Sequence, residues 1–170
     1  MKFHLVMPTI LALCAILPTI VFAADVSMSD KSFLKKAAQS GNFEVKGSKL
    51  ALKKSKNTDV QKFAQTMVTD HEKSDEELKA LAQSKKVELP TDPSFMQKGT
   101  LMLLDTYSAK KFDEEYAENV GVDAHEATIA LFEKAAKDAD DADIKHFASK
   151  TLPTLKHHYE MSKKLDKMFD

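Results

Sequence analysis

The sequence has no tryptophan, and its one cysteine is Cys14. It also has no arginine, so all 25 basic side chains are lysines. Without the planar guanidinium fork, dedicated phosphate or nucleic-acid recognition is disfavoured. A formal net charge of −1 agrees, because no strong field steers the chain toward polyanions. Four glycines and five prolines are too few for a turn-rich β fold. A chain with so little cysteine builds no internal disulfide, no iron–sulfur cluster and no cysteine zinc site. There is no phosphate loop, no dinucleotide fingerprint and no Ser/His/Asp order. The Glu-x-x-His spacing of di-iron bundles is absent too, which disfavours a ferroxidase centre.

What is present is a 170-residue chain, 43% apolar, the size of one domain with a real core. Its first residues read as a signal peptide. Lys2 supplies a basic start. An apolar run from Leu5 to Phe22 follows, interrupted by Pro8 and Pro18. Val21-Phe22-Ala23 places small residues for cleavage after Ala23. Residues 1–23 are thus expected to be removed, with Cys14 among them, and the product to reside in a bacterial periplasm. An uncleaved anchor is the alternative. Residues 24–31 read as a flexible start and residues 32–170 as the folded domain.

The remaining pattern is helical throughout. A stripe of Phe33, Ala37, Gly41, Glu44, Ser48 and Ala51 predicts a first helix over about 32–56. Asn57-Thr58-Asp59 is a break with N-cap chemistry. Val60, Phe63, Met67, His71, Ser74, Leu78 and Leu81 predict a second helix to about Lys86. Asp92-Pro93 reads as the cap and first residue of a short extra helix ending near Thr106. A third long helix is expected over 109–138, with Glu118, Val122, His125, Ile129 and Phe132 along one flank of its apolar face. A fourth follows the acidic run Asp138–Asp143 and carries Ile144, Phe147, Thr151, Leu155, His158, Ser162 and Leu165, with Pro153 inside it. Long amphipathic helices and short loops predict an all-α, antiparallel four-helix bundle.

Each long helix puts one titratable residue on its core stripe: Glu44, His71, His125 and His158. Counted from the breaks, their heights differ by a turn or less, so one core layer can hold all four. Three imidazoles and a carboxylate suit one transition metal ion, Zn, Fe, Mn or Cu, without any thiolate. Asp70 and His157 are alternates to this set, and Asp70 or Glu72 is placed to orient His71 as an outer partner. Gly41 and Gly121 each lie one turn from a member of the set, where a missing side chain leaves room for a ligand or lets backbones approach. The competing reading is a purely structural polar layer that fixes helix register in a structural or stress-related bundle. A metal-dependent oxidoreductase is a third reading, but no complete catalytic signature is present, so no catalytic residue is assigned. No nucleic acid and no lasting membrane insertion of the processed chain are expected; the sequence is compatible with a homo-oligomer.

Three segments carry a family likeness: residues 33–45 (FLKKAAQSGNFEV), residues 63–71 (FAQTMVTDH) and residues 151–158 (TLPTLKHH). With the His125 segment and Leu131-Phe132 after it, they resemble the bacterial family called domain of unknown function 4142, over roughly residues 30–168. The resemblance implies a ferritin-like four-helix fold and export to the periplasm. It implies no established activity. Recurring positions of the family match Glu44, Asp70, His71, His125 and His158.

Overall fold

A computed structural model describes residues 25–169. The expected leader, its cleavage site and Cys14 lie outside the described residues. Every element among those residues is helical, and none is a strand. The elements are α1 (Met28–Lys54), α2 (Thr58–Ser84), α3 (Phe95–Thr106), α4 (Ala109–Tyr116), a π-helical segment (Ala117–Asp123), α5 (Ala124–Asp138) and α6 (Ala142–Asp166).

The ends of the helices follow from capping. The Ser27 hydroxyl accepts the Asp30 N–H at 3.1 Å, so α1 begins at Met28, four residues before the expected Ser32 and inside the expected flexible start. Asp30 gives the physical reason: it is buried, and its carboxylate accepts the Asp141 N–H at 2.9 Å, tying the start of α1 to the start of α6. Asn57 caps α2 as its sequence indicates, accepting from Asp59 and Val60. The expected cap of the short helix is corrected. Ser94, not Asp92, opens α3, through a capping box with Gln97. Asp92 instead pairs with Lys46 and Lys98.

The third rod runs from α4 through the π segment into α5. α1 packs on α2 and α5, and α6 packs on α5, the π segment and α2. Two apolar clusters fill the interior. One gathers Phe33, Leu34, Leu78, Phe132, Phe147 and Leu155. The other gathers Phe43, Phe63, Met67, Phe112, Tyr116 and Leu165. Between them, in the middle of all four rods, lies a layer of buried polar side chains. No helix among the described residues is long and apolar enough to cross a membrane.

The π segment changes the reading of the third rod. A π turn carries one residue more than an α turn, which shifts the phase of the stripe behind it. The buried positions run in pairs, Phe112 and Asp113, Tyr116 and Ala117, Val120 and Gly121, and then singly, His125, Thr128 and Phe132, so the buried stripe narrows across the π segment. Glu118, expected on the apolar face, is exposed instead.

Candidate metal centre

Glu44, His71, His125 and His158 come from four different rods and meet in the polar layer. All four are buried, with His125, His158 and Glu44 at 0% exposure. Ring centroids are 5.7 Å apart for His71 and His125, 5.2 Å for His71 and His158, and 5.6 Å for His125 and His158. The convergence expected from matched heights is therefore present in the fold.

Each imidazole has one nitrogen facing a partner. His125 Nδ1 lies 2.7 Å from the Gly121 carbonyl oxygen; that oxygen only accepts, so Nδ1 carries the proton. His158 Nε2 donates to Asp70 Oδ2 at 2.9 Å. His71 Nδ1 lies 3.2 Å from Glu44 Oε2, a contact too poorly aligned for a good hydrogen bond. The other nitrogens, His71 Nε2, His125 Nε2 and His158 Nδ1, are buried without a partner. Separately, one ring nitrogen from each of the three histidines can be chosen so that all three lie within 4.8 Å of one another.

Glu44 is held from its other side by Thr128, whose hydroxyl donates to Oε1 at 3.1 Å. Thr128 was not singled out in the sequence. Its signal was its place one turn beyond His125 on the same face. Asp70, an alternate ligand from the sequence, sits against His158 rather than His71, which it was expected to orient. Glu72 points away to Lys49. His157 is exposed and stands outside the cluster, its ring 6.4 Å from that of His158.

Burial sets the electrostatics. Desolvation pushes the Glu44 carboxyl up to about 8, partly offset by the Thr128 hydrogen bond. Desolvation pushes His125 down to about 4, with the neighbouring His158 adding to the shift. His71 is lowered well below its ordinary value by burial and then by the two other imidazoles. His158 is lowered by burial, against the pull of Asp70. At neutral pH the layer thus holds neutral rings and a largely protonated carboxyl.

Two glycines let the rods approach here. A Cβ at Gly121 would sit 2.8 Å from Ser162 Cβ, so α6 and the π segment touch through bare backbone. A Cβ at Gly47 would sit 2.9 Å from Val120 Cγ2, a close approach the sequence did not reveal. Of the two roles open to Gly41, close approach is not the one it serves: the nearest neighbour of a Cβ there would be Asp75 Oδ1 at 3.8 Å. Gly41 instead borders a cavity of about 30 Å³ beside Glu44, His71 and His158, room for a single water.

The chain belongs to the family described as Domain of unknown function (DUF4142), whose profile matches residues 18–165. No curated protein matches its sequence. Its fold is shared by a solved DUF305 fragment from Deinococcus radiodurans, with a TM-score of 0.73 at 12% identity, covering 85% of this chain and 99% of that one. It is shared also by CopM, solved in a Cu(II)-bound form, with a TM-score of 0.69 at 16% identity, covering 83% of this chain and 97% of that one.

Proposed function

We propose that this family member is an exported, periplasmic four-helix bundle of the ferritin-like kind that binds one late transition metal ion between His71, His125 and His158. The observation that carries the reading is a cluster of three buried imidazoles that can bring one nitrogen each within 4.8 Å of the others, every ring keeping one buried nitrogen without a partner. A buried polar atom left unpaired costs about 1–3 kcal/mol. Four of the five such side-chain atoms among the described residues belong to this one layer. A purely structural layer would be expected to satisfy itself internally, and this one does not.

The donor set is nitrogen-only and neutral, which suits Cu, Zn and Ni. By the order of stability of divalent ions at such sites, Cu(II) binds most tightly and Zn(II) follows at some distance. The Cu(II)-bound state of one fold neighbour supports the choice of copper. Metal–nitrogen bonds of about 2 Å would require ligand nitrogens within about 4 Å of one another, so any pair wider than that would have to close inward by a small ring rotation. The outer partners are the Gly121 carbonyl for His125 and Asp70 for His158, which fix the tautomers of those two rings, and Glu44, which stands beside His71 Nδ1 and would fix its tautomer once ionised. Glu44 takes this outer role rather than that of fourth ligand, because Oε2 faces His71 Nδ1. When a cation binds, the Glu44–His71 pair would release one of its two protons to solvent; the one that stays would rest on Nδ1, leaving Glu44 ionised and Nε2 free to offer its lone pair.

The test is metal analysis and calorimetric titration of protein purified without a histidine tag. One equivalent of Cu(II) per chain is expected, with Zn(II) weaker, and His125→Ala abolishes the high-affinity step. A wild-type protein indifferent to Cu, Zn, Mn and Fe would sink the metal reading and leave the structural layer.

A further inference from the structure

The three histidines are buried, so an ion needs a way in, and the described residues offer a built approach. We propose that it runs between α2 and α6, past Asp70 at its inner end and beneath the Lys150–Glu77 ion pair at its mouth. The proposal rests on the metal reading above and adds the path by which the site is loaded. The inner cavity against His71, His158 and Glu44 is also bordered by Asp70, Ser74, Thr151 and Thr154. The same four residues line an outer groove of about 180 Å³ that opens to solvent. The two spaces therefore adjoin, and they do so where α2 and α6 pack less extensively than the α1–α2 and α5–α6 pairs.

The lining is chemically suited to a hydrated cation. Ser74, Thr151 and Thr154 line it with hydroxyl oxygens, that of Thr151 keeping its lone pairs free because it donates its proton to the Phe147 carbonyl at 2.8 Å, and such oxygens would replace water ligands without fixing the ion. Asp70 joins inside to outside: its side chain is 42% exposed, while one of its oxygens accepts from the fully buried His158. It can meet a cation in solvent and is already one hydrogen bond from the site. Across the mouth, Lys150 Nζ lies 2.7 Å from Glu77 Oε2, linking α6 to α2. Both side chains are partly exposed, so the pair is easily opened. Pro153 stands in the α6 wall between Thr151 and Thr154. It has no N–H to offer the Ser149 carbonyl, so the helix ladder is interrupted along this wall, where it is best able to give.

A route, unlike a ligand, changes rates in both directions and leaves equilibrium alone. The experiment is stopped-flow loading of the whole protein with glycine-buffered Cu(II), paired with chelator-driven release. Thr154→Trp and Ser74→Trp plug the groove from its two walls. Loading and release should slow together by a common factor, about ten-fold, with Kd unchanged. Glu77→Ala removes the strap and should speed both. Lys35→Trp, in a groove elsewhere on the surface lined by Gln39 and Glu88, should leave both rates alone. Circular dichroism confirms that each variant is folded, and the two plugs are independent of one another. Tight binding at wild-type rates in both plugged variants overturns the route and spares the site. Weaker binding with faster release also overturns it, because the bulk would then be acting on the ligands. A wild-type protein that takes up no Cu(II) removes the site and the route together.

Discussion

Thr128 and Glu44, 84 residues apart in sequence, meet in the core, where the threonine hydroxyl donates to Oε1 at 3.1 Å. The other oxygen faces His71, so Glu44 joins a structural contact to the histidine cluster. Glu44→Gln separates the two roles. With its pKa raised to about 8, Glu44 is largely uncharged at neutral pH, and glutamine is a neutral near-isostere. The metal-free melting temperature should therefore stay near that of the wild type. Glutamine cannot become the carboxylate that holds the Nδ1 proton of His71. Cu(II) affinity should fall about 10–100-fold, as loss of an outer partner does elsewhere. Calorimetric titration reads this directly, and undiminished affinity would remove Glu44 from the site.

The stability of the metal-free protein should depend on pH with a maximum near 6.5. Glu44, raised from 4.5 to about 8, binds more protons folded than unfolded across that window, so its contribution is lost as pH rises through it. His125, lowered from 6.5 to about 4, binds fewer protons folded, so its contribution is present above 6.5 and lost as pH falls toward 4. His71 and His158 shift in the same direction as His125. On the acid side three rings act against one carboxyl, and stability falls on acidification. On the alkaline side only the carboxyl acts, and stability falls as pH climbs to about 8. Urea midpoints measured across this range check both arms. Cu(II) should flatten the alkaline arm, because the bound ion has already ionised Glu44.

How much of this was legible in the sequence depends on which force set each feature. The four core titratable residues were readable because stripe periodicity and helix length are local properties. Each sits at a similar distance from a break that Asn57 or the acidic run announces. The outer partners were not readable. That Asp70 reaches His158 rather than His71 depends on how α2 and α6 are rotated against each other, which periodicity does not encode. The π segment was hidden for a related reason. Read with a 3.6-residue period, Glu118 and His125 share a face; the wider π turn separates them, and the close approach of Gly121 to Ser162 within it is a tertiary contact that periodicity does not encode. The early start of α1 depends on Asp30 capping a helix more than a hundred residues away.

Core packing and metal binding should be separable by mutation. Phe63 is 3% exposed and packs edge-on against Tyr116, in the apolar cluster away from the cavity. Phe63→Ala should cost about 3–5 kcal/mol of stability by urea unfolding while leaving Cu(II) affinity close to wild type. His125→Ala should do the reverse in one respect. Cu(II) at a hundred times its Kd stabilises a single-site protein by about 2.7 kcal/mol, and this increment should vanish in His125→Ala. If Phe63→Ala also abolishes the increment, the site depends on global packing rather than on its ligands.

The sharpest prediction concerns Gly121→Ala. In an unobstructed helix, alanine in place of glycine stabilises by about 1 kcal/mol. Here the new Cβ would meet Ser162 Cβ at 2.8 Å, so either α6 moves outward or the π segment shifts. The substitution should destabilise by about 1–3 kcal/mol, as overpacking does, and the sign alone distinguishes a close approach from an incidental glycine. Binding should suffer as well, because the Gly121 carbonyl orients His125 through Nδ1, and a shifted π segment turns that ring away from His71 and His158. Ser162→Gly removes the opposing Cβ. The double variant Gly121→Ala/Ser162→Gly should recover most of both the stability and the Cu(II) affinity, with a coupling energy well outside that of independent sites. Recovery of stability without recovery of affinity would mean that the π segment, rather than the helix contact, is what aims His125. Recovery of neither would show that the close approach of α6 is not what glycine serves at this position.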